Sequence, residues 1–143
     1  MRDAVIVRVG GADYRLLPTF AVVDAFEDRH GSLMAHLQRI VDVSATLTQR
    51  GTLLLEAMRA AYKDEGKNPD RLELQAMKQR MFEAGMWSDD LVRAEIDLCE
   101  RLLYTPEQYL EKKAQRARAE ADVLAAMAQL DAFAPSTEQP SQP

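Results

Sequence analysis

Residues 4–20 read AVIVRVGGADYRLLPTF, and they constrain everything that follows. Ala4 to Val9 is rich in β-branched side chains. Gly10 and Gly11 supply the positive φ angles of a tight turn, and Tyr14 to Leu17 resumes an extended pattern, so the stretch predicts a β-hairpin. Pro18 ends the second strand. A two-stranded hairpin is marginal by itself, so its apolar face must lie against the segments that come next. Those are helical. Thr19 stands as N-cap to a helix over about Phe20 to Arg29, with Phe20, Val23 and Phe26 on one face and Asp24, Glu27 and Asp28 largely on the other.

From Gly31 onward the chain is a series of helices with legible punctuation. Gly31 closes the first, and Ser32 caps a second in which Leu33, Leu37, Ile40 and Val41 recur at helical spacing. Residues 42–48 have no clear pattern. A third helix over about Gln49 to Lys63 buries Leu54, Met58, Ala61 and Tyr62, and Gly66, Asn68 and Pro69 break the chain after it. Asp70 and Glu73 read as a capping box for a fourth helix running to about Ala84, with Leu74, Met77 and Met81 inward. Ser88 caps a fifth, where Val92, Ile96, Cys99 and Leu103 form one row and Leu91, Leu98 and Leu102 another. That wide apolar face predicts the central core helix.

Thr105, Pro106 and Gln108 open the last helix, which runs without Gly or Pro from Glu107 to about Phe133. Leu110, Ala114, Ala117, Ala121, Leu124 and Ala128 make a thin heptad-like seam along it. Its middle, EKKAQRARAEAD over 111–122, is charged, and its end turns apolar with Val123, Leu124, Met127, Leu130 and Phe133. The final APSTEQPSQP has no core-forming side chains and reads as a disordered tail. The expected fold is therefore mainly α: a hairpin-plus-helical body over 1–104, a long C-terminal helix over 105–133, and a disordered tail over 134–143.

Composition narrows the function classes. The chain has 143 residues, 18 Lys plus Arg against 23 Asp plus Glu, a formal charge of −5, and only 6% aromatics. Nucleic acid and anionic membranes are not expected partners of so acidic a chain. The charge is uneven. Residues 1–68 carry 9 basic and 9 acidic groups, 69–104 carry 5 and 8, and 105–143 carry 4 and 6, so the acid excess lies in the later helices. No apolar run approaches the roughly 18 residues of a membrane span, and AVIVRV is too short for a signal-peptide core. One cysteine excludes an intramolecular disulfide and fits a reducing compartment.

Candidate chemistry is sparse. Glu27 and His30 form one ExxH pair, whereas a di-iron bundle needs two such pairs and two further carboxylates; a histidine before Gly31 also suits a helix C-terminus. Cys99 falls in the inward row of the fifth helix, where a thiol packs as a small hydrophobe. Lys112, Lys113, Arg116 and Arg118 have acidic neighbours at ion-pair spacing and no interleaved aromatic, the pattern of a solvated helix face. Phosphate-loop, nucleotide-fold, hydrolase and zinc-protease strings are absent. The expectation is no enzyme, no metal and no cofactor. Trp87, just before the Ser88 cap, reads either as a staple over the preceding helix end or as an exposed anchor for a partner.

VGGADYRLLPTF, followed by a helix, a GSL step and a leucine-rich helix, resembles the gene-transfer-agent-type tail assembly chaperones of long-tailed phages and phage-like particles. The similarity covers about residues 5–40, and the helical order extends it to about 104. The charged helix after Thr105 and the Pro/Ser/Gln tail lie outside that pattern. The resemblance implies a non-enzymatic assembly factor that binds the tape-measure protein, keeps its apolar helices soluble and helps recruit tail-tube subunits. It also implies action in the host bacterial cytoplasm, absence from the mature particle and, as in many relatives, a frameshifted longer form. Within that expectation the partner face comprises Trp87, Val123, Leu124, Met127, Leu130 and Phe133, since flexible Met-containing apolar surface adapts to helical clients. The apolar end of the last helix can instead fold back on the body. A different class fits too: a small helical adaptor or regulatory module, a homo-oligomer dimerising through its C-terminal helix.

Overall fold

Strands β1 (Val5–Val9) and β2 (Ala12–Leu16) pair antiparallel, with Val9 opposite Ala12 and Val5 opposite Leu16. Gly10 (φ 60°) and Gly11 (φ 80°) connect them in a two-residue turn whose two positive φ angles match the twist of the strands. Val5, Val7, Val9 and Leu16 are buried on one face. The computed structural model describes residues 3–133. After the hairpin come α1 (Phe20–His30), α2 (Leu33–Val41), α3 (Leu47–Asp64), a 3-10 turn at Pro69–Arg71, α4 (Leu74–Ala84), α5 (Asp89–Leu103) and α6 (Pro106–Phe133). The fold is thus mainly α with an N-terminal hairpin on a helical body and a long last helix, as the sequence leads one to expect. The chain divides into two compact units, Met1–Pro106 and Glu107–Pro143. The tail over 134–143 lies outside the described residues.

In the first unit α3 is central. It packs against α1, α4 and β2, while α5 packs against β1 and α2. Leu17 N donates to Ala57 O at 3.0 Å, fixing the end of β2 to α3. The expectation that α5 is the central helix is therefore corrected. Arg50, Gly51, Thr52, Leu53, Leu54 and Leu55 are all buried, so α3 is enclosed on every side at this level and has no solvent face to give it an amphipathic pattern. At Gly51 a Cβ would come within 3.2 Å of Lys78 Cγ and 3.3 Å of Leu74 Cδ1, so the missing side chain is what lets α4 approach.

Several local expectations change. Phe20 is 81% exposed, because Val22 and Phe26 set the inward face of α1 and Phe20 is turned well away from them. In α2 the inward row is Leu33, His36 and Ile40, leaving Val41 exposed. The Asp70–Glu73 box does not form. Asn68 instead accepts from Asp70 N at 3.0 Å, closing the 3-10 turn, and α4 begins after Glu73. A real box caps α3: Gln49 N donates to Thr46 Oγ1 at 3.1 Å and Thr46 N to Gln49 Oε1 at 3.0 Å. Ser32 caps α2 as expected, accepting from Ala35 N at 3.2 Å.

Candidate partner-binding site

The residues proposed from sequence to meet a partner fall into two groups. In the second unit, α6 is continuous for 28 residues. Its Val123, Leu124, Met127 and Leu130 are each between 56% and 70% exposed. At about 100° per residue these four lie within one arc of about 120°, so they form a single apolar face open to solvent. Phe133 ends the helix, and its side chain lies outside the described residues. Asp131 falls within the same arc beyond Met127, so the apolar face ends at a carboxylate.

Trp87 belongs to the first unit. It is partly buried and packed against the core, with the Arg50 guanidinium 4.1 Å from its ring centroid. Its indole is therefore half-buried, one part of it forming a wall over a buried cation. Cation–π contact of a desolvated guanidinium is worth on the order of 2 kcal/mol.

Beneath Trp87 the body holds a charged centre that sequence reasoning missed. Arg50 of α3 donates from Nε to Glu95 Oε1 at 2.8 Å and from Nη2 to Glu95 Oε2 at 2.5 Å, and both side chains are 0% exposed. The fork-to-carboxylate geometry is the one that best repays two buried charges. Burial pushes the Glu95 carboxyl up, against the pull of the guanidinium. Arg50 Nη1 is buried and unpartnered. The signal was present in α5: Leu91, Glu95 and Leu98 share one face, so a carboxylate interrupts an apolar row and needs a cation opposite.

His36 lies in the same region, fully buried, 4.7 Å from the Phe26 ring, with neither ring nitrogen bonded. Burial first, and then Arg39, His30 and Arg50, lower its pKa to about 4. It is a neutral imidazole at neutral pH. His30 has a partner: Thr52 gives its hydroxyl proton to Thr48 O at 2.7 Å, so His30 Nε2 must be the donor in its 3.1 Å bond to Thr52 Oγ1. Glu27 accepts from Leu33 N at 2.9 Å, tying α1 to the start of α2. The ExxH pair is thus used in joining helices. Cys99 is fully buried, and burial beside Glu95 and Glu100 pushes its thiol far up, which suits packing and not nucleophilic attack.

Among the described residues no group of His, Cys, Asp and Glu is placed to hold a metal ion. No helix among them is long and apolar enough to cross a membrane. Comparison with protein-family models, with curated proteins and with solved structures gives no match.

Proposed function

We propose that this chain is a non-enzymatic assembly chaperone of a phage-type tail, which holds the apolar helices of a tape-measure protein and supports tail-tube assembly. The observation that carries the reading is the uncovered apolar face of α6, formed by Val123, Leu124, Met127 and Leu130. Contiguous exposed apolar surface marks a partner site, and a thioether among aliphatic side chains suits a client whose register varies. The VGGADYRLLPTF pattern supports the family, and the net charge of −5 keeps a chain with such a face soluble. The place of action that follows is the host bacterial cytoplasm, before the particle is complete.

The test is co-purification of the full chain with a tape-measure protein. Leu124→Asp combined with Leu130→Asp is expected to abolish capture while leaving the helical circular dichroism unchanged. Undiminished capture by that variant overturns the proposed face. Absence of capture by the unmodified chain, with self-association lost in the same variant, supports the adaptor that dimerises through α6.

A further inference from the structure

β1 has one partner and two sides. In a hairpin closed by a two-residue turn at Gly10 and Gly11, the pairs Val9–Ala12, Val7–Tyr14 and Val5–Leu16 exchange the backbone hydrogen bonds. The amides and carbonyls of Ile6 and Arg8 therefore point away from β2. Among the described residues neither makes a further backbone hydrogen bond. The far side of β2 is held differently, by Leu17 N to Ala57 O and by Arg15 Nη1 to Asp64 Oδ2 and Glu65 Oε1 at 3.2 Å.

The free side of β1 opens into a cleft of about 360 Å³ between Ile6 and Arg8 and the Asp90, Arg93 and Asp97 side chains of α5. Ile6 is 60% exposed. Native edge strands are commonly blunted by proline, a bulge or charged side chains, lysine above all. VIVRV has no proline, bulge or lysine, and its one charge, Arg8, stands beside Asp13 of β2. Its row of outward backbone groups is a template for an extended chain, which pairs with them together as a helix or a small molecule does not.

We propose that the occupant is the β1 strand of a second copy, paired antiparallel about a two-fold axis at Val7 to give a four-stranded sheet. The strand is symmetric in the sense this requires. Val5 then faces Val9 of the other copy and Val7 meets its equivalent on the covered face, while Ile6 stands opposite Arg8 on the exposed face. All five residues pair, and each side chain keeps the face it already occupies. The cleft carries both signs, Arg8 and Arg93 against Asp13, Asp90 and Asp97, which suits a copy of itself better than a peptide of one charge. Across the exposed face each row reads Arg15, Ile6, Arg8, Asp13, so no two like charges stand side by side.

Sedimentation velocity on the full chain should give a species of twice the 16.1 kDa chain mass. Ile6→Pro removes one outward amide and none of the hairpin's own bonds. It should raise the dimer dissociation constant by about tenfold or more at unchanged helical circular dichroism. A second measurement holds even where that variant misfolds. Mixed Ile6→Cys and Arg8→Cys chains should cross-link on oxidation, since a hydrogen-bonded pair sits about 5.5 Å apart between Cα atoms. Ile6→Cys alone should cross-link several-fold more slowly, its two copies being diagonal neighbours at about 7–8 Å. Buried Cys99 does not compete. A chain that stays monomeric at all concentrations overturns the proposal. So does equal cross-linking in both samples, or a dimer dissolved by Leu124→Asp and untouched by Ile6→Pro, which places the contact on α6.

Discussion

The body and α6 invert one another. Inside the body, Arg50, Glu95 and His36 are charged or polar side chains removed from water. On α6, Leu124 and Leu130 are apolar side chains left in it. Each arrangement is unfavourable taken alone, and each is tolerable for a different reason. The buried ion pair is repaid locally, by two hydrogen bonds and the Trp87 face over the guanidinium. The exposed apolar strip has no such pairing. On the proposed reading the difference separates groups that serve the fold from groups that serve a partner, and it predicts that substitutions in the two regions fail in opposite assays.

The largest effect is expected at Glu95. Glu95→Ala strands the Arg50 guanidinium in the core, and removing one partner of a buried pair costs about 3–5 kcal/mol. Urea unfolding should show that loss. Replacing both, Arg50→Met with Glu95→Leu, should recover most of it, because the desolvation of both charges disappears with the bond. If the double variant is as unstable as the single, the charged centre contributes something beyond paired burial and the contrast with α6 weakens.

His36 comes next and is read through pH. Its folded pKa of about 4 lies below the reference value of 6.5, so the unfolded chain binds its proton first. Stability is therefore complete above about pH 6.5 and is lost as pH falls toward 4. By pH 5 the loss from this group is about 2 kcal/mol, taking one pKa unit as 1.36 kcal/mol. Burial-raised Glu95 acts in the opposite sense over the acid range, so the comparison must be with His36→Leu in otherwise identical protein. That variant should lose less stability between pH 7.5 and pH 5 than the parent. Equal losses would show that His36 has access to water or to a counter-charge in solution.

How far the sequence carried these conclusions depends on what kind of pattern each feature leaves. The hairpin was legible because Gly-Gly between β-branched runs has a single economical geometry, and the helices because Gly31, Gly85 and Pro106 punctuate them. The central place of α3 was not. Amphipathic period identifies helices that face water on one side, and RGTLLL over 50–55 is enclosed all round, so the helix with the cleaner stripe, α5, looked more important than it is. The start of α3 was available in the Thr46–Gln49 box, which has the same form as the Asp70–Glu73 string that failed. What decided between them was local: Asn68, two residues upstream, takes the Asp70 amide and closes a 3-10 turn. Arg50 and Glu95 lie 45 residues apart, and only the folded body brings their side chains together across from α3 to α5. The packing of Trp87 over Arg50 was hidden for the same reason, since that cover cannot be seen without knowing that Arg50 is inside.

The smallest effect on stability, and the largest on binding, is expected on α6. Leu124→Asp exchanges an already solvated leucine for a carboxylate, so no buried area is lost and no orphaned group is made. Surface changes of this kind stay within about 0.5 kcal/mol, less a few tenths for the poorer helix propensity of aspartate. Thermal unfolding of the body should scarcely move, while capture of a helical apolar client falls. The reverse result, a destabilised body with capture intact, would mean that the strip is covered by this chain in solution and belongs with Arg50 and Trp87 among the groups that serve the fold. Two measurements on one variant thus assign the strip, and the opposite pairing of results in Glu95→Ala supplies the control.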